Sequence, residues 1–139
     1  MENMGFEVHL ELPYEVAVER VVAALKTEGF GVLTRIDVQA TFKEKLGEDF
    51  RPYVILGACN PPLAHKALST EPLMGLMLPC NVTVEEDPAG GSLARLVNPE
   101  LMLQTGSLRE NEALCQVAEE AKVRLERVAC ALAGEVECG

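Results

Sequence analysis

Two cysteine-asparagine pairs, each beside proline, are the features of this sequence best suited to chemistry. Cys59-Asn60 is followed by two prolines, and Cys80-Asn81, twenty-one residues later, is preceded by one. A thiol is a nucleophile and a soft ligand, and an amide next to it can hydrogen-bond a bound molecule. The sequence therefore predicts one pocket that holds both pairs, provided that the segments carrying them are neighbours in the fold.

Cys59 is the candidate reacting group. Asn60 is a favoured N-cap residue and Pro61 suits the first helical turn, so Cys59 directly precedes a predicted helix. Free amides and the dipole at a helix start favour negative charge and can lower the pKa of a thiol. We therefore predict that Cys59 and His65, as its base, are catalytic, and that Asn60 and nearby amides bind a small anionic or thiol-reactive ligand. Alternatively, Cys59 is a small apolar residue that ends a buried strand.

Cys80 and Asn81 are further ligand-binding candidates, with an orientation that depends on the backbone at Pro79. Strand alternation places Cys80 with Leu78 and Val82 in the core, where a thiol is inert. Proline in a strand belongs at an edge or a bulge, however, and a bulge would change the facing of the residues after it. Asn81 lies on the opposite face and can bond a ligand there.

Metal and cofactor motifs are missing from the sequence. Cys59, Cys80 and His65 have suitable chemistry for a soft metal, but their spacing matches no metal motif and there is no Cys-x-x-Cys. The sequence also lacks a dinucleotide fingerprint, a phosphate loop and a nucleophile elbow. We expect neither a metal nor a cofactor, and the sequence does not decide whether the protein is an enzyme.

Length and composition indicate one soluble domain spanning residues 1–139. Of these residues, 48% are hydrophobic, and 22 acidic side chains against 12 basic ones give a net charge of −10. Nucleic acids and membranes are poor partners for such a chain, because polyanion binding depends on clustered Lys and Arg. The beginning of the chain does not resemble a secretory signal, so we expect a cytoplasmic protein in which all five cysteines are free thiols.

Hydrophobic periodicity predicts an α+β fold, in which helices pack on a mixed or antiparallel sheet. Proline and glycine positions mark most of the element ends. The predicted order is strand 6–10, helix 13–28, strand 31–36, helix 38–46, strand 53–59, helix 61–70, strand 76–85, strand 92–97, a brief helix 98–106 and helix 107–132.

The last predicted helix supports a rival hypothesis. Ser107 and Glu110 resemble a capping box, and an apolar stripe runs from Leu114 to Leu132 over a helix of about 26 residues, or about 39 Å. A helix of this length must lie across a sheet or reach a second subunit. In the rival hypothesis the protein is a non-catalytic, dimerising interaction module, and both cysteine-asparagine pairs are structural turns and caps.

Several blocks of the sequence resemble the family called domain of unknown function 302. The most specific are Gly-Ala-Cys-Asn-Pro at residues 57–61 and Leu-Pro-Cys-Asn at residues 78–81, and the similarity covers most of the chain. The resemblance implies a small α/β domain without an assigned activity, and a homodimer. The positions that match the family pattern are Cys59, Asn60, Pro61, His65, Pro79, Cys80 and Asn81.

Overall fold

The structure is a computed structural model, and it describes residues 4–134. The predicted order of helices and strands is confirmed within this range. The elements are β1 (Gly5–Leu10), α1 (Tyr14–Thr27), β2 (Gly31–Asp37), α2 (Val38–Leu46), β3 (Tyr53–Cys59), α3 (Pro61–Thr70), β4 (Cys80–Glu86), β5 (Ser92–Val97) and α4 (Glu112–Leu132). Short 3-10 helices cover Pro72–Met77, Pro99–Leu103 and Leu108–Glu110.

The five strands form one antiparallel sheet in the order β1-β5-β4-β3-β2. This confirms the predicted fold class and the antiparallel form of its sheet. The strands β3 and β4, which carry or border the two cysteine-asparagine pairs, are direct neighbours, and Ala58 lies opposite Cys80. The strand arrangement that a shared pocket requires is therefore present.

One face of the sheet packs against α1 and α4. Alternate residues of the two central strands, among them Leu56 and Val82, are fully buried against these helices. The apolar stripe of α4 is buried within the same chain, since Leu125 and Val128 are also 0% exposed. The stripe therefore stabilises the fold of one chain and gives no support to an interface between chains.

The final helix starts later than predicted. Asn111, rather than Ser107, is its N-cap, and the Asn111 side-chain oxygen accepts a hydrogen bond of 3.1 Å from the backbone N–H of Leu114. Ser107 makes no side-chain capping bond, and Leu108–Glu110 forms a separate 3-10 turn. The helix has 21 residues, so it spans about 32 Å and lies across the sheet.

The strand predicted to begin at residue 76 begins instead at Cys80. The preceding Pro72–Met77 segment is a 3-10 helix, and Glu71 caps it by accepting a hydrogen bond of 2.9 Å from the Leu73 N–H. The Leu78–Pro79 peptide bond is cis. Among residues 4–134, no helix has both the length and the apolar character needed to cross a membrane.

Candidate functional site

A cavity of about 300 Å³ lies where the ends of β3 and β4 meet α3 and α4. Its walls are almost entirely apolar, and none of the described residues that line it is charged. The lining includes both Cys59 and Cys80, together with Leu63, Ala67, Met102 and Val117. The cavity is therefore an apolar chamber with two thiols in its wall.

The register of the sheet brings the two thiols to this cavity. Cys80 begins β4 opposite Ala58, and the next residue of β3 is Cys59. A negative charge on Cys59 would repel one on Cys80 strongly enough to contribute to the raised pKa of Cys80. The two sulfur atoms therefore belong to one electrostatic environment, as a shared pocket requires.

The two thiols differ in accessibility. Cys80 is only 7% exposed, and burial, with a smaller contribution from Cys59, raises its pKa to about 11. Cys80 therefore keeps its proton at neutral pH, because its thiolate would have to form in an apolar environment. Cys59 is partly exposed and is the thiol that a molecule entering from solvent can reach.

The start of α3 offers no free backbone donor to an anion. Pro61 and Pro62 lack an N–H, and the N–H of Leu63 donates to the side-chain oxygen of Asn60 at 3.3 Å. The N–H of Ala64 donates to the backbone oxygen of Asn60 at 2.9 Å. The residues that shape the helix start therefore also remove or occupy its backbone donors.

Asn60 joins α3 to the end of α1. Its side-chain nitrogen donates to the backbone oxygen of Glu28 at 3.4 Å, and Arg124 donates to the same oxygen at 3.1 Å. Asn60 is 7% exposed and lines the cavity, but both ends of its amide are already bonded within the protein. Its principal role in the structure is to fix the helix behind Cys59.

The other two predicted site residues lie outside the cavity. His65 is exposed on α3 and is not part of the lining. Asn81 is exposed on the opposite face of the sheet, where it lies across from Gly57. The structure thus brings together Cys59, Asn60 and Cys80, while His65 and Asn81 are elsewhere.

Thr34 was missed from the sequence, although it also lines the cavity. A Cβ atom at Gly57 would lie 2.2 Å from the Thr34 hydroxyl oxygen and 2.9 Å from the Pro79 ring, so only glycine permits this close packing. A glycine inside an apolar strand is the sequence feature that indicates such an approach. The Thr34 hydroxyl makes no hydrogen bond with another described residue and can offer one to a bound molecule.

Neither Cys115 nor Cys130 lines the cavity. Cys59, Cys80 and Cys115 are outside disulfides, whereas Cys130 is disulfide-bonded, so the expectation of five free thiols does not hold at Cys130. Cys138 lies outside the described residues. Among residues 4–134, no group of three or more His, Cys, Asp or Glu side chains could hold a metal ion.

The fold and cavity define a two-layer α+β domain with a thiol-lined apolar chamber. The model of the family described as "Domain of unknown function DUF302" matches residues 6–132, and the chain belongs to this family. A crystal structure of an uncharacterized conserved DUF302 protein from Bacillus stearothermophilus is 31% identical, with a TM-score of 0.78. The match covers 91% of this chain and 95% of that one. No curated protein matches the chain.

Proposed function

We propose that the protein binds a small, uncharged and largely apolar ligand in the cavity. When the ligand carries an electron-poor carbon–carbon double bond, the Cys59 sulfur adds to one carbon of that bond and the thiol proton ends on the other. One observation carries the proposal: the chamber of about 300 Å³ has apolar walls interrupted by two thiols and the Thr34 hydroxyl. This volume is at the small end of the range for ligand pockets, which run from about 300 to 1,000 Å³. The ligand class is therefore a small organic molecule.

The absence of charge from the described lining favours an uncharged ligand over the anionic one considered from the sequence. No lining side chain is charged, and the first turn of α3 has no free N–H. An unpaired carboxylate in an apolar chamber would lose its hydration without compensation, at a cost of at least several kcal/mol. The overall charge of −10 would also oppose the approach of an anion.

The two thiols and the Thr34 hydroxyl of the lining would have separate roles. Cys59 is the more accessible thiol and would be the nucleophile, while protonated Cys80 would contact the ligand as a soft apolar wall. The Thr34 hydroxyl would orient a single polar atom of the ligand. His65 is omitted from the proposal because it is exposed outside the lining. Free thiols at these positions suit a reducing cytoplasm, whereas the disulfide of Cys130 does not.

Alkylation by two reagents of similar size tests the proposal. Neutral iodoacetamide and anionic iodoacetate would be applied to the native protein, and the labelling rate of each cysteine would be measured by peptide mass spectrometry. Cys115, a free and partly buried thiol outside the cavity, is the internal control. We expect the ratio of the iodoacetamide rate to the iodoacetate rate to be about tenfold greater at Cys59 than at Cys115. The labelling rate of Cys59 should also saturate at high iodoacetamide concentration.

A plugged variant shows whether the preference depends on the cavity. Ala64 is on α3, lines the cavity and is partly exposed, so Ala64→Phe fills space without removing a core side chain. We expect this variant to keep the Cys115 rates and to lose the saturation at Cys59. Equal reagent preferences at Cys59 and Cys115 in the unaltered protein would favour the rival hypothesis of a non-catalytic module.

A further inference from the structure

We propose that the ligand is a linear ketone, or the corresponding enone, with two apolar arms. One arm lies inside the cavity, and the other crosses exposed leucines where the cavity opens to solvent. This assignment of a ligand class rests on the ligand-binding function proposed above, and the exposure of the lining residues supports it.

The residues that line the cavity change from buried to exposed along its wall. Ala67, Met102 and Val117 are at most 9% exposed and form the floor. Leu33 and Leu68 also belong to the lining but are 68% and 40% exposed, so they lie at the mouth. A molecule that reaches from the floor to the mouth therefore contacts apolar side chains at both ends.

The group best placed to bind a carbonyl oxygen is at the mouth. Thr34 is exposed, lines the cavity and directly follows Leu33 in β2, so its hydroxyl can donate a hydrogen bond there. Cys59 lines the cavity and is partly buried, which places it between floor and mouth. A ketone oxygen bonded to Thr34 would thus leave the adjacent carbons of an enone on the side of Cys59.

The volume of the cavity limits the inner arm. A space of about 300 Å³ holds roughly ten groups of the size of a water molecule, each occupying about 30 Å³. A methylene group is similar in size, so an inner arm of about six carbons fits together with the carbonyl group. Further carbons attached to a carbonyl at Thr34 must extend outward, past Leu33 and Leu68.

The 3-10 helix Pro72–Met77 extends the apolar surface outside the mouth. A Cβ atom at Gly75 in this helix would be 3.7 Å from a methyl carbon of Leu68. The helix carries three exposed apolar side chains, which are Leu73, Leu76 and Met77. With Leu33 and Leu68 they make up five of the ten large hydrophobic side chains that are exposed within residues 4–134. Exposed apolar surface is therefore concentrated beside the cavity rather than scattered singly.

An arm of the ligand is the occupant that this surface favours. The exposed leucines of the mouth are continuous with the buried lining, so one flexible chain can cover both. Each fully buried methylene should raise affinity about fourfold, and each methylene on the one-sided surface of the mouth about twofold. A flat protein surface could cover the leucines but would leave the chamber empty.

Two ketones that share an inner arm test the proposal. Methyl hexyl ketone has a single long arm, whereas dihexyl ketone has two; both would be kept below their solubility limits. We expect dihexyl ketone to bind at least tenfold more tightly, because its second arm adds methylene groups at the mouth. In methyl NMR spectra both ketones should shift Val117, but only dihexyl ketone should shift Leu33 and Leu68.

Variants at the mouth show where the second arm lies. Leu33→Ser and Leu68→Ser remove apolar surface from exposed positions. Each should reduce the preference for dihexyl ketone at least threefold and leave the affinity for methyl hexyl ketone within about twofold. Leu46→Ser is the control, since Leu46 is 67% exposed on α2 and lies outside the lining, and it should change neither affinity. Circular dichroism of each variant confirms folding.

Thr34→Val tests the position of the carbonyl group. It removes the hydroxyl but keeps a side chain of similar shape, so both ketones should bind roughly three- to tenfold more weakly. Unchanged affinities would mean that the carbonyl group does not lie at the mouth, and the proposed arrangement would be wrong.

The outcomes separate this proposal from the proposed function. Saturable binding of methyl hexyl ketone without a gain for dihexyl ketone would overturn the second arm and keep the ligand-binding function. Equal losses of preference in Leu46→Ser and the two mouth variants would also overturn the second arm. Shifts of Leu33 and Leu68 that follow protein concentration instead of ketone would mean that another copy of the chain covers the mouth. Absence of saturable binding by either ketone would overturn both proposals.

Discussion

Cys80 lies directly opposite Ala58 in the ladder between β3 and β4, and this register places it one residue from Cys59 across the strand pair. The two thiols come from segments twenty-one residues apart, and both line the same apolar cavity. They are not equivalent, because one is buried and the other is partly exposed.

Burial of Cys80 should make stability fall at high pH. Its pKa is raised from 9.0 to about 11, so the unfolded chain loses this proton before the folded chain does. The contribution of the protonated Cys80 thiol to the free energy of unfolding is complete below pH 9 and is lost as the pH rises toward 11. The total loss is roughly 2–3 kcal/mol. Urea unfolding of the protein and of Cys80→Ala between pH 8 and 11 measures this. A constant difference in unfolding free energy between the two proteins would contradict the prediction.

Asn60→Ala should destabilise the protein by about 1–2 kcal/mol, because it removes an N-cap and a buried link to Glu28. The start of α3 would fray, so alkylation of Cys59 should accelerate and lose its preference for the neutral reagent. Asn111→Ala is the matched control, since it removes the cap of α4 but leaves α3 intact. If both variants changed Cys59 labelling equally, the effect would be one of global stability.

Gly57→Ala should destabilise the protein by roughly 2 kcal/mol or more, since the new methyl group would overlap the Thr34 hydroxyl. Adding Thr34→Ala removes the contact at 2.2 Å but leaves the Pro79 ring at 2.9 Å, so the rescue should be partial. Gly31→Ala is the control in the same sheet, because a Cβ there meets nothing within 4 Å. Thermal melts of Gly57→Ala, Thr34→Ala, the double variant and Gly31→Ala measure the coupling between positions 57 and 34. Full additivity of Gly57→Ala and Thr34→Ala would contradict it.

Glu85 should make the protein sensitive to acid. Burial alone would raise its pKa, but hydrogen bonds from Arg95 and Arg51 outweigh this and hold the pKa below its ordinary value of 4.5. The contribution of ionised Glu85 to the free energy of unfolding is complete above pH 4.5. It is lost as the pH falls through the lower pKa that Glu85 has in the folded protein. Glu85→Gln should cost about 1–2 kcal/mol at pH 7, because it weakens the hydrogen bonds from two partly exposed arginines to a buried side chain, and should flatten the acid limb of the stability profile.

Glu7→Gln is the control for Glu85, because the Glu7 side chain is 58% exposed and pairs with Arg95. We expect it to change stability by less than about 0.5 kcal/mol. Equal losses in the two variants would mean that the position of Glu85 beneath two arginines has no special role.

Sequence reasoning predicted the fold where local chemistry and periodicity agreed. Asp37 caps α2 through the Ala40 N–H at 2.9 Å, and Asn60 caps α3 in the predicted manner. Alternation along β4 correctly placed Cys80 on the buried face. These features depend on short-range spacing, which a single sequence contains.

Features that depend on contacts between distant segments were not predictable in the same way. The sequence hypothesis considered the free amides and the dipole at the start of α3, but it did not count the backbone donors that Pro61 and Pro62 remove. The location of Asn81 on the far face follows from strand alternation, yet its proximity to Cys80 in the chain suggested a shared site. Thr34 lines the cavity because of a register shift in β2, and no residue of β2 indicates that shift.

A methyl NMR titration with a neutral and an anionic ligand of equal chain length tests the central claim most directly. We predict that octanol causes saturable shifts of the Leu63, Met102 and Val117 methyl groups, which line the cavity, and none at exposed Val16. Octanoate should bind at least tenfold more weakly, because no described residue of the lining has a charge to compensate its carboxylate. Absence of saturable shifts with octanol, or equal binding of octanoate, would contradict the account.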